Sequence, residues 1–313
     1  MLILDWLKEW GCSRTQGLGT FVPWDEQFVI ESLSDSTIYM SYYTVAHLLQ
    51  GGVLDGSEVG PAGIKAADMN IAAWDYVMLG KDFNAEECPN VSEEQLAKLR
   101  HEFEFWYPMD MRVSAKDLIR NHLTMSLYNH EAIWPDKSKM VGSYYCNGYL
   151  NLNGKKMAKS TGNFMTLRQT INKFGNDATR VTLADAGDFL DDANFDEKVA
   201  NAAILKLFVF EEWCKTRCPE EGINFADQPK DTAFWDSLMR NELYDAVAKV
   251  TDAYENMKFK DVLKFGFNNL LNLKEAYIIG TGKKPNPVLI MEYMTVFLTI
   301  MNPIIPHICQ FIW

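Results

Sequence analysis

The 313-residue sequence has no Cys-x-x-Cys pair, no Gly-x-x-x-x-Gly-Lys-Ser/Thr phosphate loop, no internal repeat and no surplus of positive charge. Its six cysteines (Cys12, Cys88, Cys146, Cys214, Cys218 and Cys309) are scattered. Cys214 and Cys218 stand four apart on an expected helix, which is not a zinc-knuckle spacing. A long chain without a secretory signal favours reduced thiols in the cytosol over disulfides. The formal charge of −12 does not advertise nucleic-acid binding, which needs a local surplus of Lys and Arg. Any RNA contact must come from local basic patches or from other parts of the protein. Long apolar runs are also missing. Leu2-Ile3-Leu4 meets Asp5, Lys8 and Glu9 too soon for a signal or a membrane span. The apolar stretch 288–313 is interrupted by Glu292, Pro303 and Pro306, and reads as a buried helix followed by a turn.

What is present is enough apolar material, 48% of residues, for about two cored domains. The first ~190 residues mix strand and helix signals, and the rest reads as helix only. Gln27 to Glu31 is strand-like, and Ser34-Asp35 caps a helix through Tyr39, Tyr43 and Ala46 to Leu49, stopped by Gly51-Gly52. The stretch 61–90 is turn-rich and reads as an excursion. Ser92 and Gln95 form a capping box, followed by a stripe of Leu96, Leu99, Phe103 and Trp106. Met109, Met111 and Val113 alternate as on a strand, and from Asp117 a helix presents Leu118, His122 and Met125 on one face. Asn147-Gly148, between Tyr144-Tyr145-Cys146 and Tyr149-Leu150-Asn151-Leu152, is a hairpin signal. Amphipathic runs at 199–217, 236–257, 260–279 and 288–302 predict an antiparallel bundle.

The densest chemistry lies in Asn153-Gly154-Lys155-Lys156-Met157-Ala158-Lys159-Ser160-Thr161-Gly162-Asn163. Three lysines within five residues, flanked by glycines, suit a polyphosphate held by movable point charges. A solvated basic loop satisfies the same composition. Ser114-Ala115-Lys116-Asp117 falls where a strand gives way to a helix, the place where ligands bind in doubly wound sheets. There Asp117 can accept from ribose hydroxyls or simply cap its helix. His122 is a candidate ligand contact or an ordinary core histidine. Leu33, Ser36 and Tyr39 are spaced three apart at a helix start, as pocket lining or as core packing. Asp25-Glu26 and Asp191-Asp192 are assigned no chemistry, and no metal site is expected.

Lys156-Met157-Ala158-Lys159-Ser160 resembles the Lys-Met-Ser-Lys-Ser signature of class I aminoacyl-tRNA synthetases, with Ala158 for the first serine. Arg112-Val113-Ser114-Ala115-Lys116-Asp117-Leu118 resembles the Arg-Val-Ser-Gly-Lys-Asp-Leu stretch of eukaryotic and archaeal leucyl-tRNA synthetases, with Ala115 for glycine. The stretch from Trp24 to Tyr39, Phe105-Trp106-Tyr107-Pro108, Asn121-His122-Leu123, Ala184 to Asp188 and Asp192 to Phe195 are similar to the same family in the same order. The resemblance implies an α/β chain: the second half of a Rossmann-like parallel-sheet catalytic domain (1–150), a signature loop and connector (151–196), then part of an all-α anticodon-binding bundle (197–313). It implies Lys156 and Lys159 as catalytic residues that stabilise pyrophosphate charge. ATP contacts are implied at Ser114, Ala115, Asp117, Lys156, Met157, Lys159 and Ser160, and leucine contacts at Leu33, Ser36, Tyr39 and His122.

ATP with Mg2+, leucine and the leucine tRNA are the implied ligands, in the cytoplasm and away from membranes. Other synthetases or the absent N-terminal half are the implied protein partners. The family's His-x-Gly-His signature and editing insertion do not occur in this sequence. The expectation is therefore a C-terminal fragment that exposes a buried sheet edge and does not form leucyl-adenylate at a normal rate by itself. A non-catalytic tRNA- or protein-binding module, and a class I synthetase for isoleucine or valine, are the competing readings.

Overall fold

The computed structural model describes residues 2–17, 19–134, 136–218 and 232–313. The chain forms two compact units, Met1–Cys146 and Asn147–Trp313.

In the first unit, α1 (Leu2–Leu7) precedes a small antiparallel sheet of β1 (Ser13–Arg14), β2 (Phe21–Val22) and β3 (Asp25–Ile30), in the order β1-β3-β2. Then come α2 (Ser32–Asp35), α3 (Tyr39–Leu49), α4 (Ile71–Leu79), α5 (Glu93–Trp106), β4 (Arg112–Ala115), α6 (Thr124–Ile133) and β5 (Tyr144–Asn147), with β4 beside β5. The capping box of Ser92 and Gln95 starts α5 as expected. Leu96, Leu99 and Phe103 are buried, but the stripe stops a turn early, because Trp106 is 60% exposed and donates to Glu102. The stretch read as a turn-rich excursion contains α4. Asn70 caps its start, and Gly80 ends it in the left-handed region (φ 70°) that glycine adopts at no steric cost. Ala73, Tyr76 and Val77 of α4 join Val45 and the α5 stripe in one core.

In the second unit, β6 (Leu150–Leu152) pairs antiparallel with β7 (Lys155–Lys156) and parallel with β8 (Ala193–Phe195). No hairpin forms at Asn147-Gly148. The turn is instead Asn153-Gly154, with φ of 51° and 75°, the pair of positive φ values a type I′ hairpin requires. Gly148 serves packing: a Cβ there would lie 2.1 Å from the Asp191 carbonyl oxygen. Helices α7 (Leu167–Phe174) and α8 (Asn176–Ala186) precede β8, and α9 (Glu197–Arg217) and α10 (Ala233–Glu255) follow it. After these come α11 (Phe259–Val262), a π-helical segment (Leu263–Asn268), α12 (Asn269–Gly280), α13 (Pro287–Met301) and α14 (Pro306–Ile312).

The four expected bundle runs are all helical. Residues 219–231 of the expected 197–313 region, like Met1, lie outside the described residues. Helix α13 is central: Leu289, Ile290, Tyr293, Met294, Phe297, Leu298 and Met301 are all buried. Full burial of such side chains stabilises by about 1.5–3 kcal/mol each before conformational entropy is charged against it. Arg180 on α8 donates to the carbonyls of Pro303 and Ile304, both at 2.7 Å, which closes the turn between α13 and α14. The chain is thus α/β followed by an all-helical region. β6 and β8 pair parallel, and the backbone bonds beside β4 and β5, Gly142 to Met109 and Arg112 to Ser143, advance in the same direction along both segments.

Candidate functional site

In the first unit the site grows from a buried carboxylate. Glu31, just beyond β3, is 1% exposed, and such a charge survives burial only when its oxygens are occupied. Arg14 binds it at 2.5 Å, Trp10 Nε1 donates at 3.3 Å, and the Leu33 amide donates at 2.9 Å. The last bond caps α2, fixing the single turn that carries Leu33 and ends at Ser36. The next residue, Thr37, is buried. Its carbonyl accepts from Ser126 Oγ at 3.2 Å, and its hydroxyl accepts from Asn129 at 2.7 Å. Ser126 also lies 3.3 Å from the Tyr144 hydroxyl, and His130 Nδ1 donates to the Ser126 carbonyl at 2.7 Å. The other His130 nitrogen pairs with the Tyr107 hydroxyl. This buried polar chain sets where Ser36 and Tyr39 stand.

The opposite wall comes from the segment after β4. It is not the single helix expected. A 3-10 turn (Lys116–Leu118) leads into a π-helical turn (Ile119–Leu123) and only then into α6. The wider π turn places His122 inward at 1% exposure. Helix α2 packs on this turn, with the Ser36 backbone beside His122, and Arg112 lies between His122 and the Tyr39 ring. Burial lowers the His122 pKa from the ordinary histidine value, and Arg112 lowers it further. The Ser36 backbone, Glu31 and Asp35 oppose this more weakly. Ser114 and Ala115 are half-buried on β4, and Asp117 is exposed in the 3-10 turn. Ala115 is extended (φ −100°, ψ 155°), so alanine is unstrained where the resembling family has glycine.

The lysine segment belongs to the second unit. Lys155 and Lys156 form β7, and Lys159 and Ser160 sit in a 3-10 turn that Gly162 ends in the left-handed region (φ 70°). Met157 turns the other way, onto the small core of Leu152, Phe174, Phe195 and Ala200. A backbone bridge from Ala158 to Asn163 closes the loop at 3.0 Å. The Asn163 amide reaches the carbonyls of Lys155 and Lys156. All three lysines are exposed, and among the described residues none forms an ion pair. Lys156 Nζ lies 5.9 Å from the Tyr149 ring centroid. A loop pinned at its base, with its ammonium groups unclaimed, is suited to a polyanion.

Arg112, Glu31 and Asn163 were not singled out from the sequence. All three stand inside the quoted stretches, which was the available signal. No local pattern marks a glutamate that two distant side chains, Trp10 and Arg14, will hold.

Residues 90–208 match the family described as tRNA synthetases class I (M), and residues 236–313 match the anticodon-binding domain of tRNA ligase. Among solved structures, a LeuRS–tRNA–LeuAMS ternary complex from Agrobacterium radiobacter K84 superposes with a TM-score of 0.59 at 16% identity, over 96% of this chain and 34% of that one. Methionyl-tRNA synthetase of Mycobacterium tuberculosis with methionyl-adenylate gives 0.61 at 14% identity, over 99% and 56%. At these identities the likeness shows the fold. Residues 90–208 are by sequence a class I aminoacyl-tRNA synthetase segment, and the chain has the fold of that class.

Within that class its sequence corresponds to a segment of the cytoplasmic leucine–tRNA ligases. It is 46% identical to the one from Pongo abelii, 45% to that of Dictyostelium discoideum and 43% to that of Saccharomyces cerevisiae, each over 99% of this chain. It spans 26%, 29% and 28% of those proteins' own lengths.

Proposed function

We propose that this chain contributes part of the machinery that activates leucine with ATP and transfers it to tRNA. The observation that supports this most is the exposed, unpaired pair Lys156 and Lys159 on a loop braced by Asn163. In the proposed step, the leucine carboxylate attacks the α-phosphorus of ATP, the bond to the bridging oxygen breaks, and pyrophosphate carries the electron pair away. Lys156 and Lys159 offset the charge that grows on pyrophosphate, an effect largest where the cations are in place before reaction. Met157 anchors the loop, and Ser160 adds a hydroxyl to the phosphate side. Ser114, Ala115 and Asp117 take the ribose. Mg2+ enters with ATP as its counter-ion.

Leu33, Ser36, Tyr39 and His122 surround the leucine side chain, with His122 uncharged. The adenylate then esterifies the terminal ribose of tRNA, which the helical region helps hold. We place the work in the cytoplasm, as in the names of the relatives. None of the described helices is long and apolar enough to cross a membrane.

The test is leucine-dependent exchange of pyrophosphate into ATP. A polypeptide joining this segment to a His-x-Gly-His half should exchange with leucine and much less with isoleucine or valine. The 313-residue chain alone should not reach that rate. Equal exchange with isoleucine, or full exchange by the chain alone, contradicts the proposal.

A further inference from the structure

One side chain bridges both walls of the region around His122. Arg112 stands on β4, and its Nη1 meets the sulfur of Met40 on α3. Its guanidinium carbon lies 5.5 Å from the Tyr39 ring centroid, within cation–π range. Its Nη2 is 3.4 Å from His122 Nε2, and its Nε is buried without a partner. Among the described residues no carboxylate forms an ion pair with it, because Glu31 is already taken by Arg14.

A guanidinium has donors and no acceptor, and it keeps its proton at any ordinary pH. The imidazole nitrogen facing it must therefore be an acceptor. The His122 proton then belongs on Nδ1, which is buried, makes no full hydrogen bond and lies toward the Ser36 backbone.

We propose that Arg112 is a positioning and specificity residue of the leucine pocket: it holds His122 as a neutral imidazole with its proton on Nδ1 and fixes the Tyr39 ring. This rests on the assignment of Leu33, Ser36, Tyr39 and His122 to that pocket. The physical reason is that an apolar substrate side chain needs an uncharged wall. An imidazolium there would keep its water, or would have to shed it at a desolvation cost that a neutral ring avoids. The groups facing His122 are Arg112 from β4, Asp35 from α2, and Glu31 and Ser36 from the two ends of α2. Of these charges, Arg112 alone opposes protonation. The other contact, across the Tyr39 face, needs a flat cation, so lysine serves only half of the role.

The test follows the imidazole resonances of histidine-labelled chain by NMR from pH 5 to 8, in wild type, Arg112→Met and Arg112→Lys. His122 should stay neutral in wild type and in Arg112→Lys through the interval in which an unperturbed histidine titrates, near pH 6.5. In Arg112→Met its titration should move upward by about one pH unit. Near-UV circular dichroism of the buried aromatic residues reports that the fold is intact. If methionine at 112 prevents folding, Arg112→Gln, which keeps donors without charge, takes its place. A His122 titration unmoved by loss of the charge overturns the proposal.

A second readout is the leucine KM in the polypeptide joined to its His-x-Gly-His half. Arg112→Met should raise KM roughly two- to threefold more at pH 6 than at pH 8, with the ATP KM unchanged. A pH-independent rise contradicts the role assigned to the charge. Failure of the leucine reading itself would appear differently, as no leucine-dependent exchange in wild type while the NMR result stands.

Discussion

The Asn163 side-chain amide lies 3.1 Å from the Lys156 carbonyl oxygen and 3.2 Å from that of Lys155, so one residue after the loop holds the strand that enters it. It also reaches the Leu152 carbonyl at 3.4 Å. The loop therefore has a fixed base and a free rim. Asn163→Ala removes the brace without touching either lysine. With about 1–1.5 kcal/mol of bracing lost, leucine activation should slow by roughly tenfold at an unchanged leucine KM. The thermal midpoint of this chain should barely move. Pyrophosphate exchange and a thermal scan measure the two effects, and an unchanged exchange rate contradicts the bracing role.

Gly148 gives a stability test independent of function. A methyl at this position would sit 2.1 Å from the Asp191 carbonyl oxygen and 2.4 Å from its carbon, both rigid backbone. Gly148→Ala should cost about 1–3 kcal/mol by forcing the two backbones apart. The midpoint of denaturant unfolding should fall accordingly. A neutral substitution would mean that this close approach is not maintained in solution.

The buried histidines make the first unit sensitive to acid. Burial lowers the pKa of both His122 and His130, with Arg112 adding to each. The unfolded chain therefore binds protons at a pH where the folded chain does not. Stability is fully present above the unfolded histidine pKa, near 6.5, and is lost as pH falls toward the lowered folded values. Unfolding midpoints should drop between pH 7 and pH 5. Replacing the neutral partner of His130, as in Tyr107→Phe, should cost about 1–3 kcal/mol at neutral pH because a buried nitrogen loses its bond. A flat stability profile across this interval would refute the buried, neutral assignment.

Legibility followed the range of the interactions. The bundle helices were readable because a 3.6-residue apolar period is local, and Leu289 to Met301 bury on that period. The capping box at Ser92 was readable for the same reason. Hairpin assignment failed because an Asn-Gly pair marks a turn, while the partner of a strand is a distant choice. β5 goes to β4, and β6 goes to β8, more than forty residues later in the chain. Helix α4 was missed although Asn70 and Gly80 mark both ends, since the flanking turn residues outweighed nine helical positions. The π turn at His122 leaves the apolar pattern nearly helical, so only coordinates separate it from a plain helix. The site motifs were visible as motifs. The side chains that brace them, Glu31, Arg112 and Asn163, were not, because their partners come from other elements.

The most direct measurement is single-turnover leucyl-adenylate formation by the polypeptide joined to its His-x-Gly-His half, with Lys156→Ala and Lys159→Ala compared with wild type. Each substitution should lower the rate of the chemical step by roughly 10²–10³-fold with little change in leucine affinity, since the lost charge acts on the leaving pyrophosphate. An unchanged rate in both variants, with the fold intact, would contradict the account at its centre.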